Sequence, residues 1–319
     1  MITINHLNQK DFEMKRSLLA CQIVLVNLLF CQPLMAKFSF KSITSYFSKK
    51  AQEQVIQQEF KIDPRGTLNV KNIHGNVIVN EWNHGSVQLK AIKRAKKEEL
   101  LAEVDVKTQA TEKILNIATK VIKPGSKTEI NYELIVPRTV KVNIATTQGS
   151  ITIKNLNAPV KAKTENGSID IANTRGTVIA STDQGAIKIA SSSGNIRATT
   201  VTGKIIIEES SQNVVAKTKK GAIKTVCRNL RSLDTIALST QSGHIELALP
   251  QDVNAELKAR TAKGKLTSEH YITTKPQTVR LNKKTWARLR KEVDGTLGTG
   301  EATIQLTADS GNIKITKAT

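Results

Sequence analysis

Four glycines, Gly167, Gly176, Gly185 and Gly194, stand nine residues apart in the stretch TENGSIDIANTRGTVIASTDQGAIKIASSSGNIRATT (164–200). The same slot continues as Gly149, Ala158, Gly203, Gln212 and Gly221, with no insertion across a strict block at 149–225. Two residues after each slot stand Ile151, Val160, Ile169, Val178, Ile187, Ile196, Ile205, Val214 and Ile223. All are β-branched, and a position so uniform must face a core. Four residues after the slot the series reads Ile153, Ala162, Ile171, Ala180, Ile189, Ala198, Ile207, Ala216 and Thr225. Large and small alternate until the last unit, so the true period is 18, built of two unlike halves of nine. The turns agree: Thr146, Thr164, Thr182, Thr200 and Thr218 precede alternate slots by three, and Asn155, Asn173, Ser191 and Glu209 precede others.

Two short strands per 18 residues, each followed by a turn, describe an all-β chain wound as a flattened β-solenoid. Side chains of a strand alternate between faces, so Ile187 points inward and its neighbour Lys188 outward. An Ile on one wall then lies opposite an Ala on the other and the core fills without overlap. A helix is excluded by the spacing and by the density of Gly, Ser and Thr. An antiparallel sandwich is the structural alternative, disfavoured by the strict spacing and the lack of hairpin dipeptides. Further copies of the unit begin at Gly66, Gly75, Gly85, Gly243, Gly264 and Gly311. Irregular stretches at 93–130, 226–234 and 265–299 are expected to form longer or bent coils and surface excursions. The segment KKTWARLRKEV (283–293) is expected as a short basic helix closing one end, since a solenoid needs ends that block further stacking.

Three quoted stretches carry a resemblance. GTLNVKNIHGNVIVNEWNHGSVQLKAIKRA, which includes Trp82, then LIVPRTVKVNIATTQGSITI, and finally GTGEATIQLTADSGNIKI occur in that order. Over residues 59–319 the chain resembles the putative-adhesin β-strand-repeat family, a bacterial envelope domain of unknown function. The resemblance implies an exported β-solenoid with a surface or structural role. It brings no catalytic residues to carry over.

The N-terminus reads as an export signal spanning 1–36, with Met14 as a candidate true start. Lys15 and Arg16 precede the apolar run SLLACQIVLVNLLFCQPLMA, which ends at Ala36. Cleavage there would release the mature chain; a retained anchor helix is the alternative. Residues 37–58 would form a linker or a short amphipathic segment, in which Phe40, Ile43 and Phe47 would share one helix face. Cys21 and Cys31 lie in the signal, which leaves Cys227 alone in the mature chain and excludes an intrachain disulfide. Aromatic residues make up only 3% of the chain, so the core must be aliphatic.

No residue set fixes a reaction. Asp170 and Glu208 stand isolated among outward Ser, Thr, Ala, Lys and Arg, whereas hydrolysis of polysaccharide needs paired carboxylates. The turns lack the ligand series of calcium-binding rolls, and no metal or cofactor is expected. Charge is the remaining signal. The chain carries +21; the first 36 residues hold three bases and two acids, which leaves +20. Basic clusters lie at Lys93–Lys97, Lys217–Lys220 and Lys283–Lys291. Lys283, Lys284, Arg288, Arg290 and Lys291, with Trp286 among them, are candidate contacts for an anionic surface. Partners would then be an acidic glycan, a membrane surface or another envelope component; nucleic acid is disfavoured by the export signal. The leading reading is a non-enzymatic exported scaffold or adhesive surface. The alternative is a binding module for acidic glycan or anionic membrane, and a polysaccharide-acting enzyme ranks third.

Overall fold

Alternation of aliphatic and polar residues folds the repeat into strands that stack in two sheets. The computed structural model describes residues 51–210, 212–274 and 291–318, with the backbone of the strand Thr44–Phe47. All of these belong to one unit, Ser39–Thr319. Among the described residues each sheet holds thirteen strands, and the two are here called wall A and wall B. Through the repeat block, wall A takes Ile151–Lys154, Ile169–Thr174, Ile187–Ser192, Ile205–Ser210 and Ile223–Cys227. Wall B takes Val160–Asn166, Val178–Gln184, Ile196–Thr202 and Val214–Lys220. Neighbours in each wall run parallel and in register at a separation of 18 residues, as in Ile169 beside Ile187 beside Ile205. The fold is a two-walled β-solenoid.

All nine residues of the predicted ladder are buried, at 2% exposure or less. Five of them lie in wall A and four in wall B. Behind them wall A buries Ile153, Ile171, Ile189 and Ile207, whereas wall B buries Ala162, Ala180, Ala198 and Ala216. A wall with two Ile per strand thus faces a wall with one β-branched residue and one Ala. Burying each Ile or Val contributes about 1.5–3 kcal/mol, and this aliphatic stack is the main source of stability.

The two corners differ. At one, Thr164, Thr182, Thr200 and Thr218 are buried, and each hydroxyl donates to the carbonyl of a glycine in the preceding coil at 3.0–3.2 Å. Gly185 shows why glycine recurs there. Its φ is +150°, and a Cβ would lie 2.0 Å from the Gly167 carbonyl oxygen. At the other corner the chain turns through left-handed residues: Asn155 (φ 62°), Asn173 (φ 54°), Ser191 (φ 50°) and Glu209 (φ 58°).

Outside the block the coils do not stack in chain order. The coil made of Thr67–Lys71 and Val77–Trp82 lies between the later segments Ile114–Val121 with Glu129–Pro137 and Lys141–Gln148 with Ile151–Lys154. The last coil, Ala302–Ser310 with Ile313–Lys317, lies between Thr235–Ser242 with Ile245–Leu249 and Ala255–Thr261 with Leu266–Ser268. Three of the four sheet edges finish in antiparallel strands, and the fourth in the short parallel strand Leu266–Ser268. The unit beginning at Gly85, expected as a further copy of the repeat, is one of the antiparallel strands. Ser86–Ala95 pairs antiparallel with Glu129–Pro137 and with Gln52–Lys61, because its flanking loops return the chain at one end of the wall. Within 93–130, expected as bent coils and excursions, Val104–Ala110 pairs antiparallel with Ile114–Val121, after a 3₁₀ turn at Glu98–Glu103. Most of the basic helix expected at 283–293 lies outside the described residues. Its last two residues are strand, since Glu292–Leu297 pairs antiparallel with Ala255–Thr261.

Candidate functional site

The three basic clusters fare differently. The one at 93–97 is dispersed by the strand it sits on. Lys93 is buried, and its ammonium donates to the Val104 carbonyl at 2.9 Å. Burial pushes its pKa below the usual lysine value, partly offset by the nearby Asp105. Arg94 instead reaches outward to Glu53 at 2.8 Å. In the second cluster Lys217, Lys219 and Lys220 are exposed, Lys217 on wall B and the others beside the glycine corner. In the third, Lys283, Lys284, Trp286, Arg288 and Arg290 lie outside the described residues. Lys291 is described, and its ammonium donates to the Ala262 carbonyl at 2.9 Å.

Three acids on the repeat face of wall A lie next to lysines. Asp170 stands beside Lys188 in register, Lys188 pairs with Glu208 at 3.4 Å, and Lys224 pairs with Glu246 at 3.6 Å. Glu208, read from the sequence as isolated, therefore has a cation as its partner. Among the described residues no three His, Cys, Asp or Glu gather as a metal site would require. Cys227 is buried, and burial raises its thiol pKa.

A polar groove of about 470 Å³ runs along the left-handed corner. One bank is the column Asn155, Asn173, Ser191, one residue per coil, and the other is Asn157, Arg175, Ser193. Its floor includes buried Thr174, whose hydroxyl donates to Ser192 at 3.1 Å. Backbone bonds fix the second bank: the amides of Asn157, Arg175 and Ser193 donate to the carbonyls of Arg138, Leu156 and Thr174 at 2.7, 2.7 and 3.0 Å. In the first bank, the Asn173 amide donates to Asn155 Oδ1 at 3.0 Å, and the Ser191 hydroxyl to Glu209 at 2.8 Å. One end is closed by Arg138, which donates through Nε and Nη2 to the two carboxylate oxygens of Glu81 at 3.1 and 2.8 Å. That guanidinium holds the Glu81 carboxyl below the usual carboxylate range. Arg175 is exposed, and its guanidinium has no hydrogen-bond or ion-pair partner among the described residues.

Sequence reading missed this groove. Its residues look like ordinary turn formers, and only the 18-residue stacking lines them up. The signal was present as the period itself, since Asn157, Arg175 and Ser193 are 18 apart.

The chain matches the family model described as Toastrack DUF4097 over residues 59–316. No curated protein matches it. Among solved structures it is similar to a putative adhesin from Bacteroides fragilis, at 14% identity and TM-score 0.46, covering 84% of this chain and 98% of that one. It is similar to a putative lipid binding protein from Parabacteroides distasonis, at 13% identity and TM-score 0.35, covering 83% and 95%. It is also similar to a putative cell adhesion protein from Clostridium sporogenes, at 11% identity and TM-score 0.27, covering 83% and 100%. The parallel two-walled coil and a family match that spans both of its ends lead to one assignment: the chain belongs to the Toastrack DUF4097 family.

Proposed function

We propose that this protein is a non-catalytic module of the cell envelope, exported through its N-terminal signal, that works as a scaffold with an adhesive outer surface. One observation carries the reading: on the repeat face of wall A, Asp170, Glu208 and Glu246 each stand next to a lysine. Acid–base hydrolysis needs two carboxylates facing one substrate bond. A face of mixed charges on a rigid sheet suits contact by repetition along its length. Among the described residues no helix is long and apolar enough to cross a membrane. Attachment would therefore fall to the N-terminal segment or to a partner. Cell fractionation followed by immunoblotting tests the reading. The protein is expected in the envelope or medium, shortened to start near Lys37. A full-length cytoplasmic band would contradict it.

A second reading has its own observation. Lys217, Lys219 and Lys220 are exposed together, and no carboxylate pairs with them among the described residues. They would attract an anionic surface, and salt would weaken the attraction because exposed charges are screened over about 8 Å at physiological ionic strength. Binding to vesicles containing phosphatidylglycerol at low and at physiological salt tests this reading. Equal binding at both would remove it.

A further inference from the structure

We propose that the left-handed corner holds a segment of acidic polysaccharide, with a uronate carboxylate seated on Arg175 and hydroxyls on the flanking amides. The proposal rests on the reading of the outer surface as a binding surface, and it names a site and a ligand class for it. The groove is concave and polar, and it runs along the stacking direction through successive coils. A linear polymer can follow such a track, because equivalent side chains recur at the strand spacing of about 4.8 Å.

The chemistry of the lining selects the ligand. Arg175 presents a rigid fork of N–H donors that matches a carboxylate bidentately. Its neighbours in the same column, Asn157 and Ser193, make no side-chain hydrogen bond among the described residues. An amide and a hydroxyl on either side of a guanidinium can both donate and accept, as sugar hydroxyls require. In the other column, the bond from Asn173 to Asn155 leaves the Asn155 amide protons and the Asn173 oxygen with capacity to spare. The left-handed backbone at Asn155 and Asn173 is forced by the corner and holds these side chains in fixed columns, which limits the entropy lost on binding. At the closed end the charge of Arg138 is already paired with Glu81, whereas Arg175 at the middle of the track is an unpaired cation among the described residues. A lipid surface fits less well. No large exposed apolar side chain lines the groove, and a concave polar track cannot lie flat on a bilayer.

The full chain and its variants should be titrated with polygalacturonate at physiological salt, with dextran as the neutral control. Arg175→Gln is expected to weaken polygalacturonate binding about tenfold, the scale of a lost charge-assisted hydrogen-bond pair. Arg175→Lys should fall between, because a point charge replaces the fork. A Lys219→Gln/Lys220→Gln double variant removes more charge from the opposite corner, yet should bind within about twofold of the parent, since exposed charges at that distance are screened. Unchanged melting of the Arg175 variants would show that the loss is not unfolding. The proposal is overturned if the parent does not bind polygalacturonate, if dextran binds equally well, or if Arg175→Gln binds as the parent does. It is also overturned if the lysine variant loses as much, or if Arg175→Gln lowers vesicle binding as strongly as glycan binding. None of these outcomes bears on envelope location, which the fractionation decides separately.

Discussion

Ile187 and Lys188 are consecutive and have opposite surroundings. Ile187 is fully buried between Ile169 and Ile205, whereas Lys188 faces solvent and pairs with Glu208. Ile187→Asp removes a full aliphatic burial and inserts a group with no partner there. It should cost at least about 4 kcal/mol, seen in chemical denaturation as a collapse of the midpoint. Lys188→Gln removes one exposed ion pair and should stay within about 1 kcal/mol. Similar losses for both would contradict the two-wall packing. Gly185 gives a second test at this scale. Gly185→Ala would drive a Cβ into the Gly167 carbonyl at a φ that L residues avoid, and should cost at least about 2 kcal/mol. Gly85→Ala meets no atom within 4 Å and should shift stability by no more than about 0.5 kcal/mol. Both effects can be read from melting curves of the purified variants. The inward ladder and the glycine slots were legible because each residue's environment recurs with the period. The groove residues were not, because an exposed Asn or Ser reads the same whether it lines a track or merely turns the chain.

Among the elements, the antiparallel end strands carry ionisable groups that the repeat block lacks in its core. Val104–Ala110 forms an edge of wall B and holds Asp105. Burial tends to raise the Asp105 pKa. Its bond to Lys107, the charges of Lys107 and Lys93, and the Val106 amide outweigh that and hold it below the usual aspartate value. Next to it, Lys123 and Ser126 hold Glu103 below the usual glutamate value by side-chain hydrogen bonds. A carboxyl whose folded pKa is depressed adds stability above its unfolded pKa, and that stability is lost as pH falls through the folded value. The unfolded reference for Asp105 is 3.8, so the loss should set in below that pH. Hydrogen exchange near pH 3 should therefore show Val104–Ala110 opening ahead of Val178–Gln184 and Ile196–Thr202, whose cores hold no carboxylate. Simultaneous opening would contradict this account of the end. Element direction was hard to read from the sequence. Ser86–Ala95 begins with the same Gly-x-aliphatic pattern as the parallel strands, but partner and direction are set by distant contacts.

For the molecule as a whole, the departure from chain order decides how the solenoid ends. Both the first and the last coils of the matched domain lie second from an end, each clamped on both sides by other coils. Neither of these coils can peel away without breaking four sheet ladders, two in each wall, and the outer edges are left to antiparallel or very short strands that discourage further stacking. Periodicity could not reveal this order. An alternating pattern tells which face of a strand is buried but not which strand lies next to it. The most direct test measures spacing along wall B. Lys163, Ser181, Thr199, Lys217, Ser239, Thr307 and Arg260 follow one another in register, so Thr307 is five strands from Lys163 and Arg260 is six. At about 4.8 Å per strand these separations are roughly 24 and 29 Å. Spin labels at Lys163 and Thr307, and at Lys163 and Arg260, should give pulsed-EPR distances in that order, with the 307 pair shorter. A longer distance to 307 than to 260 would mean that the coils stack in chain order, and would contradict the inserted last coil.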